Sequence, residues 1–206
     1  MQISRLALWM CLFCAASMVN AATRPLSSYD AFIELIHSNK LKDDWARIHA
    51  INNFINRALV YRTDQEQHGR HDHWAGPRES LYRGAGDCED YALAKFVALR
   101  AMGIPDTQLR LVYARLLPSG EAHMVLYYRP IGSSPLVLDN ISNHILPANE
   151  RRDLRTIYSF NESGIWLPGK DAPFLPMTNL RWTLILKEIS ATILLHNKDT
   201  FVNKTP

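Results

Sequence analysis

Cysteine, glycine and charge of a single sign are all scarce in this chain of 206 residues, and each shortage excludes something. Three cysteines cannot build a disulfide scaffold. With 9 glycines and 11 prolines, unevenly spread, the chain is neither collagen-like nor of low complexity. Its 23 Lys and Arg against 20 Asp and Glu leave a formal charge of only +3, and the two signs are interspersed. No basic stripe is present that would bind nucleic acid or a membrane surface. Beyond the N-terminus no apolar run approaches the roughly 20 residues that a membrane-spanning helix needs. Apolar side chains, by contrast, make up 47% of the chain, enough to offset chain entropy and exclude disorder as the main state.

Residues 1–21 read as a secretory signal. Arg5 gives a short positive start, residues 6–16 form an uncharged apolar run, and Val19 and Ala21 place small side chains before a cleavage point after Ala21. The run is short for a membrane span. Its removal takes Cys11 and Cys14 with it and leaves residues 22–206 as a single domain with Cys88 alone. A lone exported cysteine is either buried and inert or a free thiol with a role.

Apolar periodicity predicts a helix over 27–39, with Ser28 or Asp30 as cap and Phe32, Ile33, Leu35 and Ile36 as its stripe. A second helix over 43–59 buries Trp45, Ile48, Ile51, Phe54, Ile55 and Leu59 at spacings of three and four. Residues 63–79 read as a long polar surface loop. A third helix runs from Asp87 to about Met102, with Asp87 and Asp90 in a capping arrangement and Gly103 and Pro105 at its end. Strand-like runs follow at 109–117 and 122–128, joined by a turn at 118–120, then at 135–139, 158–167 and 180–186. Helices first and strands afterwards predict an α+β layer architecture.

Three residues stand out in that frame. Cys88 opens the third helix, in Gly86-Asp87-Cys88-Glu89-Asp90-Tyr91. His123 lies in a strand, in Ala122-His123-Met124-Val125-Leu126, and Asp139 ends the next strand, in Leu138-Asp139-Asn140. A helix N-terminus favours a thiolate, a neighbouring His takes the thiol proton, and a carboxylate on the other ring nitrogen fixes the tautomer. Asp87, Glu89 and Asp90 work against this, because their charge raises a thiol pKa. A hard cation such as calcium, held by those carboxylates, resolves the conflict. The Cys88 backbone N–H is the first candidate for an oxyanion donor.

These motifs resemble the bacterial transglutaminase-like cysteine proteinases, over about residues 41–167. Further matches are Trp74, Arg152-Asp153-Leu154, Ser159-Phe160-Asn161 and Trp166. The resemblance implies a papain-like, transglutaminase-like fold in which the nucleophile helix packs on an antiparallel β-sheet. Cys88, His123 and Asp139 would be nucleophile, base and orienter. Calcium beside the nucleophile would be held by Asp87, Glu89 and Asp90, and the Trp74 indole would be an oxyanion candidate. It further implies a periplasmic endopeptidase whose protein substrate is the N-terminal region of a large surface adhesin, cut at an Ala-Ala site. An inner-membrane cyclic-di-GMP receptor of the LapD type would sequester the enzyme, and its release would disperse biofilm.

Two alternatives stay open on the residues alone. An acyl transferase would use the same three groups and pass the thioester to an amine. A zinc module would use Cys88, His123 and Asp139 as ligands, although no C-x-x-C pair supports it. His68, His71 and His73 form a small histidine cluster before Trp74 that reads as a solvated loop rather than a metal site. Arg151 and Arg152 fit either pairing with acids or lining a partner surface.

Overall fold

The computed structural model describes residues 27–38 and 43–176. The expected signal at 1–21 and the expected strand at 180–186 lie outside them.

The N-terminal half is helical. Helix α1 (Ser28–His37) starts at a capping box, in which Ser27 and Asp30 satisfy each other's backbone N–H groups, so Ser27 is the cap rather than Ser28 or Asp30. Phe32 and Ile36 are its fully buried pair. Helix α2 (Asp44–Ala58) is capped by Asp43 and buries Ile48, Ile51, Asn52 and Ile55. Trp45 departs from the expected stripe. It is 57% exposed and packs its ring on His49, because the helix turns only one narrow face to the core.

The expected loop at 63–79 contains two short helices, α3 (Asp64–His68) and α4 (Pro77–Arg83). Thr63 and Glu66 form a second capping box, and Pro77 sits at the first helical turn where its missing N–H is harmless. Strands β1 (Val60–Tyr61) and β2 (Ala85–Gly86) pair in parallel beside them. Helix α5 (Cys88–Ala101) follows directly and is buried on nearly every side, from Asp90 to Ala101. A central helix of this kind must be apolar all round, and Ala92, Leu93, Phe96, Val97 and Leu99 supply that.

The C-terminal half is one antiparallel sheet in the order β6-β5-β4-β3-β7-β8. Its members are β3 (Leu109–Leu116), β4 (Ala122–Tyr128), β5 (Leu136–Leu138), β6 (Leu146–Pro147), β7 (Leu154–Asn161) and β8 (Gly164–Trp166). The single strand expected over 158–167 is two strands, folded back at Glu162-Ser163 so that Asn161 faces Gly164. Residues Leu109, Leu111, Met124, Leu126, Tyr128, Leu138 and Phe160 join α1, α2 and α5 in the main core. Val112, Val125 and Val137 form a smaller cluster of their own. The nucleophile helix packed on an antiparallel sheet is therefore the observed α+β architecture.

Candidate active site

Cys88 is the first residue of α5, and its side chain is half-buried. The thiol lies against the backbone N–H of Met124 on β4, the residue that follows His123 in that strand. His123 Nε2 is 2.9 Å from Asp139 Oδ1, and both residues are buried. With Nε2 committed to the carboxylate, Nδ1 is the ring nitrogen left to exchange a proton with sulfur. The structure thus joins His123, at a strand start, to Asp139, at a strand end, and sets Cys88, at a helix start, against the same strand at Met124.

Asp139 is held from every direction. Arg151 Nη2 donates to its Oδ2 at 2.7 Å, and the Ile141 N–H donates to its Oδ1 at 3.1 Å. Its backbone carbonyl accepts from Lys95 Nζ at 2.9 Å and from Asn56 Nδ2 at 2.8 Å. Burial by itself raises a carboxyl pKa, but the His123, Ile141 and Arg151 contacts outweigh it and hold Asp139 below the usual carboxylate range. Arg151 is locked in turn by Asp153 at 2.9 and 2.7 Å. Lys95 is fully buried, about two helical turns beyond Cys88 on the same face of α5. Burial pushes its ammonium down to about 7.

Around the thiol the balance is acidic. Cys88 Sγ donates to Glu89 Oε2 at 3.1 Å. Burial, then the Glu89 carboxylate, pushes the thiol well above its ordinary value. Burial and then Glu89 likewise push Asp87 up to about 9. Asp87 occupies the cap position of α5 but its side chain makes no capping bond, so only the return half of the expected capping arrangement, Asp90 on the Asp87 N–H, forms. Burial also raises Asp90, to about 8.

The expected cation set of Asp87, Glu89 and Asp90 gains a further candidate. Asp64, Asp87 and Glu89 offer oxygens that all lie within 4.8 Å of one another. Asp90 is engaged through one oxygen only, and its Oδ2 is buried with no hydrogen-bond partner in the protein. Its Oδ1 accepts the Ala75 N–H at 2.8 Å, and its side chain lies under Gly86. Asp64 enters the group from the first turn of α3. The Asp64 Oδ2 accepts the backbone N–H of His73. Asp64 Oδ1 and Asp87 Oδ1 are buried with no hydrogen-bond partner in the protein. An all-oxygen set with orphaned acceptors fits a hard cation such as calcium.

Trp74 immediately precedes Ala75, so the Asp90 contact ties it to α5; its ring rests on Phe160, 5.9 Å between centroids. Sequence reading missed Asp64, Lys95 and Asn56, and left Arg151 open. For Asp64 the signal was present in Thr63-Asp64-Gln65-Glu66, a helix-start pattern inside a stretch taken for loop. Lys95, Asn56 and Arg151 reach Asp139 only through tertiary packing.

Residues 13–164 match the family described as bacterial transglutaminase-like cysteine proteinase. Three solved structures of LapG from Legionella pneumophila are similar to the chain. The calcium-bound form has a TM-score of 0.70 at 37% identity, covering 79% of this chain and 89% of that one. The EGTA-treated form has a TM-score of 0.69 at 37% identity, covering 79% and 88%. A third has a TM-score of 0.66 at 36% identity, covering 79% and 86%. No curated protein matches the chain. With a family match over most of its length and this level of identity to solved relatives, the chain belongs to the bacterial transglutaminase-like cysteine proteinases and is a cysteine peptidase.

Proposed function

We propose that the protein is a periplasmic, calcium-dependent cysteine endopeptidase that cuts the N-terminal region of a large surface adhesin under cyclic-di-GMP control. The observation that carries the chemistry is the His123–Asp139 pair, 2.9 Å apart, on the strand whose next residue, Met124, turns its backbone N–H to the Cys88 thiol. Asp139 holds the imidazole in the tautomer that leaves Nδ1 open and stabilises the imidazolium formed later. His123 takes the thiol proton, and the Cys88 sulfur attacks the substrate carbonyl. The Cys88 backbone N–H, at the positive end of α5, faces the developing oxyanion, with the Trp74 indole N–H as second donor. His123 then returns the proton to the leaving amine, and water releases the acyl group by the same route in reverse.

Asp64, Asp87 and Glu89 would hold the calcium. When bound, the ion neutralises the carboxylates that otherwise draw on the Cys88 proton. The calcium-bound and EGTA-treated states of the LapG relative support a role for calcium, without bearing on which residues hold it. The adhesin substrate, its Ala-Ala site, the periplasmic location and sequestration by a receptor of the LapD type rest on the likeness to LapG.

The test compares the purified protein with its Cys88→Ala variant. Each is incubated with an adhesin N-terminal fragment carrying an Ala-Ala site, in calcium or in excess chelator. Cleavage by the parent protein alone and in calcium alone is expected. Cleavage that persists in chelator removes the metal from the reading, and cleavage by Cys88→Ala removes the nucleophile. Trp74→Phe should lower kcat with little change in KM; unchanged turnover would dismiss the indole as donor.

A further inference from the structure

A second group of ligating side chains lies outside the reaction centre, between α3 and α4. His68 closes α3, His73 lies in the loop that follows, and Glu79 stands in the first turn of α4. Gly69, at φ +62°, ends α3 in the left-handed conformation and lets the chain double back, so that the two imidazoles meet. Their ring centroids are 4.0 Å apart. His73 Nε2 lies 3.1 Å from Glu79 Oε1. One ligating atom from each of the three residues lies within 4.8 Å of the other two. All three residues are half-buried, whereas His71, between the two histidines in sequence, is exposed and takes no part. The third member, Glu79, comes from a different helix, which is why the histidine spacing alone did not disclose the group.

Two imidazoles and one carboxylate are the donor set of a three-ligand zinc site with a fourth position for water. This set differs from the all-oxygen group at Asp64, Asp87 and Glu89: nitrogen donors select a first-row transition-metal ion over calcium. In the structure a cationic side chain already occupies the space. Arg83 Nη1 lies 3.0 Å from His68 Nδ1, and Arg83 Nη2 donates to Glu79 Oε1 at 3.1 Å. Arg83 ends α4 and is exposed, and its ion pair with Glu79 is a surface pair of small net worth. It can therefore withdraw into solvent at little cost.

We infer that His68, His73 and Glu79 form a binding site for a zinc-type divalent transition-metal ion, which displaces the Arg83 guanidinium. The site has a direct connection to the reaction centre. The same residue that would ligate through its imidazole, His73, donates its backbone N–H to Asp64. A metal at this position pins the segment that orients Asp64.

The experiment uses the Cys88→Ala protein in excess calcium, so that neither the thiol nor the carboxylate group competes. Co²⁺ is titrated and followed by its visible absorption, then displaced with Zn²⁺. One equivalent with an intense tetrahedral-type spectrum, bleached by Zn²⁺, is expected. Adding His73→Asn or Glu79→Gln should weaken binding by at least about tenfold. Adding Arg83→Gln should tighten it, an outcome that general loss of structure cannot mimic. No tetrahedral spectrum, or binding undiminished by His73→Asn and Glu79→Gln, would overturn the site. So would Arg83→Gln binding no more tightly than its parent.

Discussion

Asp139 shows how much of a site is carried by one side chain. It orients His123, pairs with Arg151, and its carbonyl collects Lys95 and Asn56. Asp139→Asn should cut kcat by about 10⁴-fold, the cost of the equivalent change in serine triads, because the amide can hold the imidazole in the wrong tautomer. The same substitution should change the acid limb of stability. The folded carboxyl lies below its unfolded value of about 3.9, so its contribution is present above that pH and is lost as pH falls toward the folded value. Urea midpoints measured below about pH 4 should therefore fall less steeply for Asp139→Asn. Lys95 runs the other way. Burial lowers its pKa to about 7, so between there and its unfolded value of about 10.4 the unfolded chain binds more protons. Stability gains with rising pH through that window, and Lys95→Met, which keeps the stem and removes the ammonium, should abolish the gain.

At the scale of elements, the junction from β2 into α5 decides where the sulfur sits. Gly86 pairs with Tyr61 across the parallel ladder and is followed at once by the cap position of α5. A Cβ at Gly86 would lie 2.8 Å from the Asp90 Cβ and 2.9 Å from its Oδ2. Asp90 cannot give way, because it anchors Ala75 beside Trp74. Gly86→Ala should cost about 1–3 kcal/mol of stability in urea unfolding, the range for overpacking. Its effect on turnover should be larger than that loss implies, since the start of α5 carries Cys88. At the same junction, burial and then the neighbouring acidic groups Cys88, Asp87 and Glu89 raise the Tyr61 hydroxyl.

The whole molecule is a helical layer laid against a six-stranded sheet, with the reaction centre where α5 begins and β4 and β5 have their ends. Among the described residues no helix is long and apolar enough to cross a membrane. The carboxylate group draws Asp64 from α3 and Asp87 and Glu89 from the start of α5, so a cation there crosslinks separate parts of the helical layer. A ligand that binds only the folded state stabilises it by mass action, about 2.7 kcal/mol at a hundred times its Kd. Calcium should accordingly raise Tm in a concentration-dependent way, read by differential scanning calorimetry. Asp64→Asn should shrink that shift more than Asp90→Asn does, if the folded cores of both variants match the parent by circular dichroism.

Local pattern alone determined the helix over α5, the β3–β4 hairpin, and the positions of Cys88, His123 and Asp139 in their elements. Those features depend on periodicity and on neighbours in the chain, which a sequence displays directly. The α3 start was written there too, in Thr63 and Glu66, although the surrounding polarity hid it. Trp45 went the other way, since periodicity names a stripe but not how wide a face the core will cover. Only the tertiary structure decided which groups meet. Asp64 joins Asp87 and Glu89, Lys95 and Asn56 converge on one carbonyl, Arg151 reaches across to Asp139, and Glu79 joins two histidines. These contacts join residues from different elements, from six to eighty-three positions apart, and their chemistry becomes available only after packing has removed water and brought the charges together.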